Sequence, residues 1–286
     1  MVRGFGLLLI TAFSWGLNWP LMKYLLTQVP PFTMRALAGL IGAAVAFAFA
    51  AGRGERLAVP SAQWPALLVS SALNFTSFMA ASTLGLLWLS ASEAVIIAYT
   101  LPLWAALIAW PVLGERPTPL RLFALTLGLS GVAVLMGAEP IQASWSKLPG
   151  VLIAFAGSWL FALGTVLSKR RPLKLPPVAA VAWQVALGTA PLALPALLEN
   201  PHWPAIPVRV WVLIAYLGVV PLSIAYFTWF RALRLLAAST AATATLMVPV
   251  IGVLGSAVLL GEPLGARQLV ALALTLAGVA LAARAR

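Results

Sequence analysis

Apolar residues occur along this chain in ten runs of about 20 residues, separated by short segments that hold most of the charges. An α-helix rises about 1.5 Å per residue, so a run of this length crosses the roughly 30 Å of hydrocarbon in a bilayer. The pattern therefore predicts an all-α protein with ten membrane-spanning helices. The predicted spans are residues 4–23, 32–52, 65–86, 90–113, 119–138, 149–169, 177–198, 210–230, 237–260 and 265–284.

The composition excludes a soluble protein. Hydrophobic residues make up 62% of the 286 positions and charged residues only 8%. A soluble domain carries about 25% charged residues, because it must cover its surface with polar side chains. We therefore expect a multi-pass integral membrane protein surrounded by the lipid bilayer. The first apolar run is too long for the core of a signal peptide and has no cleavage site behind it, so we expect it to be retained.

The net charge of +12 comes from basic residues scattered between the apolar runs. This distribution is typical of loops at anionic lipid headgroups, and it argues against a nucleic-acid partner. The loops on the side of the N-terminus hold 13 Lys or Arg residues and those on the other side hold four, with Arg35 just inside the second helix. Because basic residues resist translocation, both termini are predicted to be cytoplasmic and the protein to lie in the inner (plasma) membrane.

A repeat relates the two halves of the chain. A shift of 147 residues superimposes Pro102 on Pro249, and the Leu-Gly-Glu that ends at Glu115 on the one that ends at Glu262. The two predicted units, residues 1–138 and 139–286, hold five helices each. Because five is odd, the second unit enters the bilayer from the opposite side, and such inverted repeats are typical of secondary transporters.

Sequence motifs connect this architecture to a family. The first helix contains Trp-Gly-Leu-Asn-Trp-Pro at residues 15–20, and each half has a Pro thirteen residues before the Glu of its Leu-Gly-Glu. A Gly-Val follows in the next helix of each half. In these features the chain resembles the EamA family of the drug/metabolite transporter superfamily, and more narrowly the aromatic amino acid exporters of the YddG type. The resemblance implies ten helices around a central substrate cavity and export from the cytoplasm.

Polar side chains at membrane depth are the first candidates for the lining of this cavity, because an unpartnered polar group is costly in lipid. Asn18 lies one helical turn after Ser14 and close to Trp15, and Asn74 shares a helix face with Ser77. Trp15, Asn18, Asn74 and Ser77 are therefore predicted to contact a substrate. Hydrogen bonds that join neighbouring helices are the alternative role for the polar side chains among them.

Aromatic side chains and prolines near mid-membrane form a second group of candidates. The aromatic residues would provide walls for an apolar or aromatic solute, although helix packing is the alternative for each of them. Pro102 and Pro249 each free a backbone carbonyl, so they are predicted hinges of the fourth and ninth helices. The predicted lining residues of this group are Tyr99, Trp159, Tyr226 and Thr243.

Glu93 is the carboxylate that the pattern places inside a span rather than in a loop. An acidic side chain at this depth is the candidate for coupling transport to protons. The alternative is an ionised carboxylate at the membrane interface, paired with Lys23 or Arg35. Glu115 and Glu262 occur at the same position of both halves, but they lie at helix ends, where a turn into the next helix is the favoured interpretation.

Residue types that the sequence lacks exclude other chemistry. The chain has no cysteine and no aspartate, and His202 is its one histidine. We therefore predict no Ser-His-Asp triad, no metal site, no cofactor and no enzyme activity. A glycine-rich phosphate loop is also missing, so ATP is not expected to drive transport. Gly128 and Gly131 are expected at close helix contacts, inside a monomer or between the chains of a homodimer.

These features predict a secondary or facilitative exporter of small metabolites that works by alternating access around a central cavity. The interior lacks fixed counter-charges at mid-membrane, which favours small apolar zwitterions such as aromatic or branched amino acids as substrates. The alternatives are an exporter of cationic or neutral drug-like solutes, which would need an ionised Glu93, and a passive channel or lipid-handling protein. A membrane enzyme or scaffold is the least favoured interpretation.

A reporter fused after Arg286 is expected to stay in the cytoplasm, and one inserted near His202 to reach the other side of the membrane, because the basic loops set the orientation. Alkaline phosphatase and green fluorescent protein fusions at both sites measure the two locations in intact cells. Both reporters on one side of the membrane would contradict the ten-helix prediction.

Overall fold

The ten predicted spans are all represented by helices. The computed structural model describes residues 2–116, 118–137, 141–201, 203–236 and 246–284, and every regular element in these ranges is helical. Seven of the helices are long and apolar enough to cross a membrane. Shorter apolar helices cover Leu122–Leu135, Met247–Leu260 and Ala266–Leu281. This arrangement confirms the predicted all-α membrane fold.

We number the spans α1 to α10 in chain order. Three of them are interrupted, α3 and α8 by a π-helical turn and α4 by a turn at Tyr99 and Thr100. Short 3₁₀ turns, Ser61–Gln63 and Trp203–Ala205, precede α3 and α8. The spans are α1 (Val2–Leu25), α2 (Pro31–Gly52), α3 (Trp64–Ser70, π turn Ser71–Thr76, Ser77–Trp88), α4 (Ala91–Ala98, Leu101–Leu113), α5 (Pro119–Gly137), α6 (Ile141–Arg170), α7 (Pro177–Ala196), α8 (Val208–Val219, π turn Val220–Ile224, Ala225–Leu235), α9 (Met247–Leu260) and α10 (Ala266–Arg284).

Two predicted helix ends need correction. The sequence places the start of α6 at residue 149, because Pro149 breaks the apolar run, but the helix begins at Ile141 and contains that proline. The end of α8 lies at Leu235 instead of residue 230, so the helix continues past Arg231. In both cases charged or helix-breaking residues lie inside a helix that extends beyond the apolar run. The first part of the predicted ninth span, residues 237–245, lies outside the described residues.

The contacts between helices follow the repeat. Each helix of the first half has a counterpart five places later, and an extensive contact between two helices is matched by a contact between their counterparts. α3 packs against α6 as α1 packs against α8, and α4 packs against α6 as α1 packs against α9. Three helices also pack directly against their own counterparts: α2 against α7, α4 against α9 and α5 against α10. A contact pattern of this kind follows from a pseudo-twofold axis in the membrane plane, as the inverted repeat requires. We call the face at which α1 begins the N face.

Glycines hold the backbones of α5 and α10 together. A Cβ added to Gly278 would fall 2.6 Å from the carbonyl oxygen of Ala124 and 2.7 Å from the backbone nitrogen of Gly128. A Cβ added to Gly131 would fall 2.6 Å from the hydroxyl of Thr275. Small residues allow such close approach of helices in lipid. The close contact predicted at Gly128 and Gly131 is therefore made within one chain.

Glutamates of one half hold the first turn of helices in the other half. Glu199 follows α7, and its carboxylate accepts hydrogen bonds from the N–H groups of Phe32 and Thr33 in α2, at 3.0 and 2.6 Å. Glu55 follows α2, and its carboxylate accepts from two N–H groups in the first turn of α7, at 3.1 and 2.9 Å. The first N–H groups of a helix have no partner within the helix, so a carboxylate there supplies acceptors and a favourable charge.

Glu262 makes the same kind of contact. Its carboxylate accepts hydrogen bonds from the N–H groups of Ala91 and Ser92 at the start of α4, at 2.7 and 3.0 Å, and from the Ser92 hydroxyl at 2.6 Å. Glu262 lies in the turn between α9 and α10, as the sequence predicts, and it also caps α4. Its counterpart Glu115 forms an ion pair with Lys169 at 2.6 Å near the N face.

Glu262→Ala is expected to lower the free energy of unfolding by about 2 kcal/mol, because three donors at the start of α4 lose their acceptor. Glu262→Gln keeps one acceptor oxygen and is expected to cost about half as much. Thermal unfolding in detergent, followed by circular dichroism, measures both changes. Arg209→Ala removes an exposed charge and is the control. Equal stability of Glu262→Ala and the unmodified protein would contradict the capping role.

Candidate functional site

The two π-helical turns lie at equivalent positions of the halves, in α3 and α8. Next to the turn of α3, the hydroxyl of Thr76 donates to the carbonyl of Gly188 in α7 at 2.9 Å. In α8 the hydroxyl of Ser223 donates to the carbonyl of Gly42 in α2 at 3.0 Å. A π turn inserts an extra residue into a helix, and such turns are frequent at functional sites. The two turns therefore set which side chains of α3 and α8 face the helices beside them.

Aromatic side chains from four helices meet next to these turns. The ring of Tyr226 lies with its centroid 5.4 Å from that of Trp15 and 5.7 Å from that of Phe75. Nε1 of Trp15 donates to the carbonyl of Pro221 in the π turn of α8 at 3.1 Å. Tyr99 of α4 packs with Trp15 against α9. The structure thus brings together three predicted site residues, and we call Trp15, Phe75, Tyr99 and Tyr226 the aromatic cluster.

A second row of rings runs from α1 to α6. The ring centroid of Phe78 lies 6.4 Å from that of Trp19 and 5.1 Å from that of Phe161. The sequence reasoning missed Trp19 and Phe78, although each lies four residues after a predicted site residue and so on the same helix face. A void of about 10 Å³ lies beside these rings, between α1, α3, α4 and α6.

Two buried amide oxygens in this region have no hydrogen-bond donor among the described residues: Oδ1 of Asn18 and Oδ1 of Asn74. Nδ2 of Asn18 contacts Sδ of Met22, one turn further along α1, at 3.7 Å. The amide of Asn74 lies against Gly164 of α6. Buried acceptors usually have a partner, because burial removes the hydrogen bonds that they make with water. These two oxygens are therefore free to accept a donor from a bound solute.

Ser77 and Thr243 are placed differently from these amides. The hydroxyl of Ser77 donates to the carbonyl of Leu73 in its own helix at 2.5 Å. This bond satisfies a carbonyl within the π turn, so it supports the helix interruption rather than a bound solute. Thr243 lies outside the described residues. Substrate contacts by either residue stay predictions.

Trp159 lies apart from the aromatic cluster, contrary to its predicted place in the cavity wall. Its side chain is 43% exposed. With Trp104, Leu129 and Phe155 it lines a groove of about 640 Å³ on the outer surface of α4, α5 and α6. The preceding residue, Ser158, is fully buried. Successive helical residues point about 100° apart, so the buried position of Ser158 directs Trp159 outward.

The predicted hinge prolines both lie in the first turn of a helical segment. Pro102 follows the turn that divides α4, and Pro249 lies in the first turn of α9. The hydroxyl of Ser158 in α6 lies 3.2 Å from the carbonyl oxygen of Ala98, four residues before Pro102, and 2.9 Å from that of Ala154 in its own helix. The carbonyl that Pro102 frees is thus next to a polar group of a neighbouring helix. Hinge motion at the two positions stays a prediction.

Glu93 lies in the first turn of α4, and its side chain is 6% exposed. It forms a capping box with Ser90, in which each side chain accepts a hydrogen bond from the other residue's N–H group. Its carboxylate also pairs with Lys147 of α6 at 2.9 Å. The ion-pair partner is therefore Lys147, and not Lys23 or Arg35 as the alternative supposed. Proton coupling through Glu93 stays a prediction.

Two cavities lie between α2, α7 and α8, on the side of Tyr226. A cavity of about 340 Å³ lies between α2, α7 and α8, beside Arg53 and Arg231. A second cavity of about 100 Å³ adjoins it, because Val178 and Phe227 line both, and this second cavity extends to Tyr226. Tyr226 is the residue of the aromatic cluster that lines one of these cavities.

Comparison with known proteins identifies the family. The sequence profile of the EamA-like transporter family matches residues 2–137 and again residues 148–284. The chain belongs to the EamA-like transporter family. A solved crystal structure of a protein also matches 98% of this chain and 96% of its own length, with a TM-score of 0.69 and 26% sequence identity. The predicted resemblance to the EamA family and its fold is confirmed.

Several relatives are transporters by name. The aromatic amino acid exporter YddG of Ancylobacter novellus is 31% identical over 204 residues, which cover 70% of this chain and 69% of the exporter. A probable amino-acid metabolite efflux pump of Salmonella typhimurium is 26% identical over 96% of this chain and 92% of the pump. The uncharacterized transporter YvbV of Bacillus subtilis is 29% identical over 96% of this chain and 90% of its own length. The names of these relatives support transport of small metabolites across a membrane as the role of proteins in this family.

Gly164→Ala is expected to turn the amide of Asn74 out of its present position, because the added Cβ would collide with Oδ1 of Asn74. If that oxygen contacts the solute, the loss of one hydrogen bond raises the Michaelis constant about fivefold. Initial transport rates in proteoliposomes, normalised to folded protein, measure the change. Gly6→Ala is the matched control, since no atom lies within 4 Å of the added Cβ. Equal Michaelis constants in both variants would argue against a contact at Asn74.

Proposed function

We propose that this protein exports small apolar amino acids, aromatic ones foremost, from the cytoplasm by alternating access. The observation that carries the proposal is the combination of the aromatic cluster with two buried amide oxygens that lack donors, on Asn18 and Asn74. The amide oxygens suit the ammonium group of such a solute, and the rings suit its side chain. Relatives that are named as amino acid exporters support the same substrate class.

The chemistry of the cluster matches a zwitterion with an apolar side chain. An ammonium group has three donors, and neutral amide oxygens accept them without adding charge to the membrane interior. Burial of an aromatic ring against Trp15 and Tyr226 contributes about 1.5 to 3 kcal/mol. Two hydrogen bonds from the ammonium group add about 1.5 to 3 kcal/mol each, so that after ordering costs we expect a dissociation constant of about 1 mM. Weak binding of this kind suits the export of an abundant metabolite.

The route to the cluster supports an orientation for transport. The cavities begin beside Arg53 and Arg231 at the N face, where 13 of the Lys and Arg residues are concentrated by sequence. Because basic loops stay in the cytoplasm, we propose that the N face is cytoplasmic. The structure then corresponds to the state that receives solute from the cytoplasm.

The alternatives find less support. An exporter of cationic drugs needs a carboxylate that faces the solute, whereas Glu93 is paired with Lys147. A passive channel needs an open passage to both faces, but beyond the cluster Trp19, Met22 and Leu25 of α1 are buried in the protein core. Closure on one side, with access on the other, is what alternating access requires.

Asn18→Ala is expected to lower the initial rate of phenylalanine counterflow about fivefold, because it removes one acceptor for the ammonium group. Purified protein in liposomes loaded with unlabelled phenylalanine, and supplied with labelled phenylalanine outside, measures this exchange without nucleotide. Trp159→Ala is the matched control, since it removes an aromatic residue of the outer surface and is expected to transport normally.

Two outcomes of this assay would contradict the proposal. Labelled phenylalanine that enters equally fast without phenylalanine inside would indicate a channel, because only a carrier is stimulated by solute on the far side. Absence of counterflow for all aromatic and branched amino acids would remove the proposed substrate class. A loss of rate in Trp159→Ala with a normal rate in Asn18→Ala would move the site to the outer groove.

A further inference from the structure

Arg35 is buried in the membrane-spanning part of α2, with 5% of its surface exposed. Its Nε donates to the hydroxyl of Thr83, and its Nη2 donates to the hydroxyl of Ser82 at 2.9 Å, both in α3. Nη2 also contacts Sδ of Met22 in α1. The guanidinium group thus lies where α1, α2 and α3 meet, and its hydrogen-bond partners are all uncharged.

The charge of Arg35 is not balanced by a carboxylate in the part of the chain that the structure describes. Nearby acidic groups have other partners, since Glu199 caps α2 and Glu93 pairs with Lys147. A buried charge without a counter-charge is costly, and an arginine within a membrane span is therefore a candidate functional residue. A bound anion would supply the counter-charge that Arg35 lacks among the described residues.

The guanidinium group also has free N–H donors and a fixed position, which both favour the binding of an anion. Its described contacts use Nε and Nη2, so the two N–H groups on Nη1 remain for a further acceptor. Three helices fix the group through Ser82, Thr83 and Met22, so little side-chain freedom is lost on binding. The rigid guanidinium group keeps an Nη1 donor at a fixed position, from which it can donate to one oxygen of a carboxylate.

Arg35 is connected to the proposed binding site through one sulfur atom. Sδ of Met22 contacts both Nη2 of Arg35 and Nδ2 of Asn18, the latter at 3.7 Å. Asn18, whose Oδ1 has no donor among the described residues, and Arg35 therefore contact the same methionine side chain. They bring a hydrogen-bond acceptor and a positive charge to one region of the protein, and these are the groups that bind an ammonium and a carboxylate.

We propose that Arg35 binds the carboxylate of the exported solute, while Oδ1 of Asn18 accepts a hydrogen bond from its ammonium group. The ammonium half of this inference rests on the proposed function, whereas the carboxylate half requires only that the solute is an organic anion or zwitterion. The void that Ser82 lines together with Trp19 and Phe78 is about 10 Å³, too small for a carboxylate. The contact therefore forms when α1 and α3 separate, on the way to the face opposite the N face.

The test compares three solutes that share one ring. Phenylalanine has both charges, 3-phenylpropanoate has only the carboxylate, and phenethylamine has only the ammonium group. Isothermal titration of each into the purified, detergent-solubilised protein at pH 7 gives its affinity. Arg35→Gln is expected to lower the affinity for phenylalanine and for 3-phenylpropanoate about tenfold. The affinity for phenethylamine is expected to stay the same. Arg209→Gln, which removes an exposed arginine, is the matched control and is expected to change none of the three.

Arg35→Lys provides a second variant, which keeps the charge if the glutamine variant does not fold. It is expected to retain the preference for 3-phenylpropanoate over phenethylamine, with weaker binding than the unmodified protein because a flexible ammonium group does not keep its donor in a fixed position. Equal weakening of all three solutes in either variant would show that Arg35 only positions the helices. Unchanged binding of the two carboxylates in Arg35→Gln would overturn the proposal directly.

The failure of the proposed function gives a different result. If the unmodified protein binds 3-phenylpropanoate through Arg35 but neither transports nor binds phenylalanine, the carboxylate site stands and the amino acid substrate is wrong. If it transports phenylalanine and Arg35→Gln transports it with the same Michaelis constant, the amino acid substrate stands and the role of Arg35 is wrong. If it binds none of the three solutes, the proposal for Arg35 is wrong as well.

Discussion

The interaction on which the arrangement of the two halves depends is the capping of helix starts by glutamates of the opposite half. A helix that begins near the edge of a bilayer exposes N–H groups for which lipid offers no acceptor. Glu55 and Glu199 supply acceptors reciprocally between α2 and α7, and Glu262 supplies them to α4. Because each carboxylate crosses between the halves, the caps tie the two repeats together at both membrane faces. Small-residue packing between α5 and α10 then fixes the distance between their backbones.

This symmetric frame also produces the site. The π turns of α3 and α8 occupy equivalent positions. In each turn one hydroxyl donates a hydrogen bond to a glycine carbonyl of a neighbouring helix, α7 for the turn of α3 and α2 for the turn of α8. The side chains beside them are not equivalent, since α3 presents Asn74 and Phe75 whereas α8 presents Tyr226. The repeat therefore supplies the geometry of a central site, and the differences between its halves supply the aromatic wall and the amide acceptors.

Most of the fold could be predicted from the sequence, because the need to bury backbone polar groups in lipid makes any long apolar run a helix. The candidate site was less predictable. Trp15 and Tyr226 are in ring contact, and the amide oxygens of Asn18 and Asn74 are buried, whereas the side chain of Trp159, predicted for the same cavity wall, is 43% exposed. Depth along a helix is readable from the sequence, whereas the direction of a side chain depends on neighbouring helices. The π turns add to this difficulty, because each rotates the residues that follow it.

The sequence by itself determined that this is a membrane protein, how many helices it has, that its halves are inverted repeats and to which family it belongs. These properties follow from hydrophobicity, from charge and from local motifs, all of which are linear along the chain. Only the tertiary structure decided that Glu262 caps α4, that Glu93 pairs with Lys147, and that Arg35 and Asn18 contact the same methionine, Met22. Those contacts join residues far apart in sequence, and they exist because helices pack in one of many arrangements that an apolar pattern allows. Partner choice for a buried charge is thus a property of the packed helices, not of the segment that carries the charge.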